Sequence, residues 1–176
     1  MKGRQLSPTE IQEARLVFAE GLDYPRVRLS EGVAWTDALA RRGQAAPVTS
    51  PPTHNAVTLG WNCYFPVRLQ TSVADLAAGN LRDMAWLVHE LTHAWQYQHT
   101  GWRYLWKAVE AQVRLGTAAY AYGGEEGLTA STGGLFGFNV EQQADIARDY
   151  YGRRRLGRDC TAWERMIDEL RLTDRG

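Results

Sequence analysis

The segment Trp86-Leu87-Val88-His89-Glu90-Leu91-Thr92-His93-Ala94-Trp95-Gln96 constrains this chain more than any other, because it carries His-Glu-x-x-His inside a helical pattern. Residues four apart on an α-helix lie about one turn and roughly 40° apart, so His89 and His93 project side by side and can both reach one metal ion. Glu90 is rotated about 100° from His89 and flanks that position, where it can touch a water without being a ligand. A Zn²⁺ held by two imidazoles and one further protein ligand keeps a fourth position open, and water there becomes a nucleophile near neutral pH. The spacing points to a hydrolase using one Zn²⁺ per chain. Met84, Leu87, Leu91, Ala94 and Trp95 add an apolar stripe at helical period, which predicts a helix from Asn80 to Gln98 with its own core anchor.

The 176 residues suit one domain, 1–176, large enough to bury a core without disulfides. Formal net charge is zero, which argues against nucleic acid or an anionic membrane as the main partner. Arg153-Arg154-Arg155 with Arg158 is a local basic cluster, read as a solvated helix end, where cations are favoured. No stretch approaches membrane-spanning length, and the opening Met1-Lys2-Gly3-Arg4-Gln5-Leu6-Ser7-Pro8 lacks a signal-peptide h-region. Cys63 and Cys160 are too few for a disulfide framework or a thiolate metal site and read as free thiols, one in a strand and one near a helix start.

Ser7-Pro8-Thr9-Glu10 places a capping Ser, a first-turn Pro and a capping-box Glu, so a helix starts there and Gly21 is its plausible stop. Arg26-Val27-Arg28-Leu29 alternates as a half-buried strand does, and 37–42 suits a short helix before a proline-punctuated loop. Within Asn55 to Phe65 the odd positions Val57, Leu59, Trp61, Cys63 and Phe65 are apolar, predicting one strand ending at Pro66, with Gly60 and Asn62 as a bulge. As a sheet edge beside the metal helix, such a strand could pair with an extended peptide. A helix over 102–115 is followed by a glycine-rich stretch to Phe138, expected to be a mobile loop near the site. Asn139 can cap a helix running from Val140 to Tyr151 and stopping at Gly152, and a last helix covers Thr161 to Leu170.

Two residues compete as third ligand. His99 lies ten positions after His89, the metzincin spacing, but Gln96 stands where that pattern needs the turning Gly. If the helix continues through Gln98, His99 is carried about 9 Å along the axis from His93 and faces elsewhere. Glu141 is the stronger choice, opening a helix with Asp145 one turn further on the same face. Ligand imidazoles need an acceptor on their other nitrogen, which gives Asp145 a role. Glu125 and Glu126 are weaker alternatives, since a glycine-rich loop holds a ligand poorly.

Glu141 to Asp145 resembles the second-helix motif of the gluzincin metallopeptidases, in which that Glu is the third zinc ligand and that Asp bonds a zinc-binding His. His89 to Gln96 together with Glu141 to Asp145 is also similar to small bacterial proteins described as Vgr-related, or found as C-terminal metallopeptidase domains of type VI secretion Vgr spikes. The Ser-Pro-x-Glu opening and Tyr64-Phe65 extend the similarity over most of the chain. The resemblance implies an α+β, zincin-like fold with a small mixed sheet on the metal helix and a helical C-terminal half. It also implies a cargo made in the bacterial cytoplasm and exported without a signal peptide, with a spike protein as partner and a protein or peptide as substrate.

In that reading His89, His93 and Glu141 bind Zn²⁺, Glu90 moves the proton, and Asp145 orients a ligand His. Developing charge on the substrate oxygen needs a further donor, for which Tyr120, Tyr122, Tyr150, Tyr151 and His54 are candidates. The rivals are a non-catalytic zinc-binding scaffold of a secretion spike and a zinc amidase acting on cell-wall peptides. Glu90 favours catalysis over the scaffold, because a structural zinc site needs no base beside the metal.

Overall fold

The structure, a computed structural model, describes residues 3–36, 55–103 and 121–172. The helix expected over 37–42, most of that over 102–115, and the candidates His54 and Tyr120 lie outside the described residues. The fold is α+β, with a small three-stranded mixed sheet and a helical majority. No described helix is long and apolar enough to cross a membrane.

Helix α1 (Pro8–Phe18) begins where the sequence requires, with reciprocal bonds between Ser7 and Glu10. The Glu10 side chain does more than cap. Fully buried, it accepts from Arg4 Nη1 and Nη2 at 2.8 Å each, from Ser7 N at 2.7 Å and from Thr71 Oγ1 at 2.7 Å. Burial pushes its carboxyl upward, but the Arg4, Ser7 and Thr71 donors outweigh that and hold it below its usual 4.5. A depressed carboxylate contributes stability above its unfolded value that is lost as pH falls through the folded one. Glu10→Gln is therefore expected to cost about 3 kcal/mol at neutral pH, the low end for a broken buried pair because Arg4 can rehydrate. In chemical denaturation the gap between wild type and variant should begin to narrow as pH falls below about 4.5.

After a 3₁₀ turn at Tyr24–Arg26 comes β1 (Arg28–Glu31). The stretch expected to be one strand is a hairpin of β2 (Val57–Leu59) and β3 (Asn62–Phe65), closed by Gly60 and Trp61. Gly60 sits at φ +63°, which a two-residue hairpin turn demands and a side chain resists. The turn resets the alternation, so Thr58 faces inward opposite Cys63. The sheet order is β1-β3-β2, with β1 parallel and β2 antiparallel to β3, and β2 at one end.

A short capped helix, α2 (Val73–Ala77), leads into α3 (Arg82–Thr100), which carries the His-Glu-x-x-His segment. Every residue of α3 from Leu87 to Gln96 is buried, polar ones included. A helix buried all round must be covered on several sides. Here β2 and β3 cover one face and α5 (Val140–Arg155) another, in the most extensive helix pairing among the described residues. The region expected to be loop up to Phe138 holds, in its described part, α4 (Gly124–Ala130) and a 3₁₀ turn at Gly134–Gly137. Gly127 is required in α4, since a Cβ there would lie 2.0 Å from the Tyr122 carbonyl oxygen.

Helix α5 runs through Gly152 instead of stopping there. It ends at Arg155 with Leu156 as its cap, after which Gly157 takes φ +63° and Arg158 N bonds back to the Arg153 carbonyl. The basic residues Arg153, Arg154 and Arg155 fill the last turn of α5. Finally, α6 (Thr161–Arg171) buries Trp163, Met166, Ile167 and Leu170 and packs against α1, α4 and α5. Cys63 and Cys160 are both free thiols and buried.

Candidate metal centre

Helical periodicity alone stacks His89 and His93 on one face of α3, with ring centroids 5.0 Å apart. Position two of α5 supplies the third group. Asn139 caps that helix, its Oδ1 accepting from the backbone N of Glu141 and Gln142 at 3.0 Å, while Gln142 Oε1 accepts from Asn139 N at 3.1 Å. A helix start fixed this way aims Glu141 at α3. Its Oε2 lies 3.5 Å from His89 Nε2 and 3.6 Å from His93 Nε2.

One potential ligand atom from each of these residues lies within 4.8 Å of the other two, so the trio could hold a metal ion. Ligands of a tetrahedral Zn²⁺ at about 2.0–2.2 Å sit roughly 3.3–3.6 Å from one another, close to the separations seen. The partners behind the two rings also suit a metal. His89 Nδ1 is 2.9 Å from Asp145 Oδ1, and His93 Nδ1 is 2.8 Å from Gln96 Oε1. Each imidazole thus has an acceptor behind it and presents Nε2 to Glu141. Two imidazole nitrogens and one carboxylate form a zinc-type donor set.

Charge is concentrated here. Burial would lower the His89 imidazolium, but hydrogen bonds to Asp145 and Glu141 override it and raise its pKa to about 10. For His93 burial again acts downward and the Glu141 charge reverses it. Glu141 responds in kind. Burial pushes it up, yet the two histidines hold it well below the usual carboxylate range.

Glu90 is 4% exposed and its charge acts on both imidazoles. Thr58 on β2 anchors it, its hydroxyl lying 2.7 Å from Glu90 Oε2 and 3.2 Å from the Glu90 carbonyl oxygen. Asp145 accepts from Arg148 Nη1 as well as facing His89. Arg148 in turn pairs with Asp149, which accepts from the Tyr122 hydroxyl at 2.6 Å.

The remaining sequence candidates are dispersed. Tyr150 is nine residues after Glu141, about half a turn round α5, and its hydroxyl contacts Glu164 and Arg171. Tyr151 donates to Glu13 on α1. His99 turns from the ligands, with Nδ1 at the Trp95 carbonyl and its ring on Trp95. Glu125 and Glu126 are exposed in the first turn of α4.

Thr58, Gln96, Gln143 and Arg148 were not among the sequence candidates. Helical spacing could have found two of them, since Gln96 is three residues after His93 and Arg148 three after Asp145. Thr58 carried no such signal while the hairpin was read as a single strand.

No family model matches the chain. It is 37% identical, over 152 residues and 85% of its length, to the type VI secretion system spike protein VgrG2b of Pseudomonas aeruginosa PAO1. It spans only 13% of that protein. Among solved structures, the effector domain of Pseudomonas aeruginosa VgrG2b matches with a TM-score of 0.63 at 30% identity, covering 93% of this chain and 81% of that one.

Proposed function

This chain belongs to the family of the VgrG2b effector domain, and from that premise we propose that it is a gluzincin-type, zinc-dependent peptidase acting as a type VI secretion effector. The observation that carries the catalytic part is Glu90, a buried carboxylate clamped by Thr58 beside the His89, His93 and Glu141 trio. A metal site serving only to hold a scaffold together has no use for a fixed base at its edge.

His89, His93 and Glu141 would hold the ion. When bound, Zn²⁺ supplies Lewis acidity, lowering the pKa of water toward about 7 and polarising a carbonyl. The protein's own groups do the rest. Glu90 accepts a proton from the attacking water and returns it to the departing amine nitrogen. Thr58 keeps one carboxylate oxygen of Glu90 occupied, which leaves the other for proton transfer. Asp145, itself held by Arg148, fixes the His89 ring. The substrate is a peptide, delivered to where a type VI spike carries its effectors.

The direct test is metal content together with hydrolysis of casein and a quenched-peptide panel by the purified, metal-replete protein. One zinc per chain with metal-dependent cleavage is expected. Zinc without cleavage of any substrate would move the assignment to a non-catalytic zinc module, and absence of bound metal would sink it.

A further inference from the structure

The two ligand histidines have unlike partners. Behind His89 stands a carboxylate, Asp145, whereas His93 faces an amide, Gln96. We propose that Gln96 and Gln143 form a neutral hydrogen-bond relay that fixes the proton of His93 on Nδ1 and locks the Glu141 turn of α5 onto α3. The relay assembles the three-ligand site ahead of the metal, and its importance for metal binding rests on the reading above.

The bond directions follow from groups that can only accept. Gln143 Nε2 donates to the Phe138 carbonyl at 2.9 Å, which turns Gln143 Oε1 toward Gln96. Gln96 Nε2 then donates both to that oxygen and to the Val140 carbonyl, each at 2.9 Å. This leaves Gln96 Oε1 for His93. An amide oxygen has no proton to give, so His93 Nδ1 must keep its own, and Nε2 is the nitrogen given up to a metal. Both glutamines are buried, at 3% and 6% exposure, so water does not compete for these bonds.

The relay ends on the carbonyls of Phe138 and Val140, which flank the capping Asn139 and precede Glu141. One ligand's ring orientation and another's helix start are therefore set by the same bonds. Neutrality matters too. Among the described residues, three acids, Glu90, Glu141 and Asp145, already stand round the site, facing the two imidazoles and the Arg148 guanidinium. A carboxylate at position 96 would add a fourth and would face two acceptors, Val140 O and Gln143 Oε1, without a proton for either.

Gln96→Met and Gln143→Met, singly and together, test this positioning role by two readouts. Zinc affinity, measured by competition with a chromophoric chelator, should fall about 10–100-fold in each single variant. The double variant should lose little more than either, because both cuts break one chain of bonds. In ¹H–¹⁵N spectra the wild type should show a slowly exchanging His93 Nδ1–H proton whether metal-free or zinc-loaded, and Gln96→Met should lose it. Wild-type affinity and a retained Nδ1–H signal in Gln96→Met would overturn the relay, as would additive losses in the double variant. Should Gln96→Met fail to fold, the wild-type spectrum and Gln143→Met decide. A wild type that binds no zinc refutes the metal-centre reading, while the protected His93 proton still judges the relay.

Discussion

Glu90→Gln should retain a full complement of zinc and lose about 10²–10⁴-fold in kcat/KM toward a quenched peptide, the range expected when a general base is removed. Glutamine keeps the size of the side chain, and its amide oxygen can still accept from the Thr58 hydroxyl, so the 2.7 Å clamp and the surrounding packing survive. What it cannot do is take a proton from water. The three residues proposed to hold the ion, His89, His93 and Glu141, are untouched. Thr58→Val separates holding the base from being the base. It preserves shape, removes the hydroxyl, and should cost about 10-fold with unchanged zinc, as a displaced catalytic group does. Metal analysis and initial rates on the same samples check both. A Glu90→Gln protein that cleaves at the wild-type rate would remove Glu90 from the chemistry, and one that loses zinc would make it a ligand.

The site was legible in the sequence to the extent that it is local. His89, Glu90 and His93 lie on one helix, and helical geometry alone relates their directions. Glu141 and Asp145 share a face of α5 for the same reason, but nothing in the spacing brings α5 to α3. That pairing is tertiary and rested on family resemblance. Thr58 shows how a local error propagates. With Gly60 and Trp61 read as part of one strand, the odd positions made up its apolar side and Thr58 fell between them. Once they form a turn, the parity changes and Thr58 meets Glu90.

Glycine misled in two further places. Gly152 was taken as a stop, yet glycine inside a helix costs only about 1 kcal/mol, and a terminator must also adopt the left-handed conformation that Gly157 takes. The glycines before Phe138 suggested loop, although close packing against the Tyr122 carbonyl explains the one at Gly127 within a helix. Gln96 was weighed only as the residue that spoils a metzincin turn. A polar side chain on the buried face beside a ligand His could have been asked what it bonds, and the answer is His93.

Glu141→Gln should abolish stoichiometric zinc binding at micromolar metal, a loss of about 100-fold or more, since even residues behind a ligand are worth 10–100-fold. The same variant makes an opposite-signed statement about the metal-free protein. There Glu141 is the countercharge for His89 and His93, raising both, while they depress it. A raised histidine contributes stability in full below its unfolded value of 6.5, lost as pH climbs through the folded value, about 10 for His89. A depressed carboxylate contributes in full above its unfolded value of 4.5, lost as pH falls. The contribution of Glu141 to metal-free stability is therefore greatest between about pH 4.5 and 6.5 and fades on either side. Zinc reverses the trend above that window, because binding must expel the histidine protons and so strengthens as pH rises. Thermal melts of wild type and Glu141→Gln with chelator should differ most near pH 6 and converge toward pH 10, whereas with zinc the gap should widen from pH 6 to pH 8. A chelated pair whose melting difference grows with pH would show that the histidines are not charged partners of Glu141 in the metal-free fold.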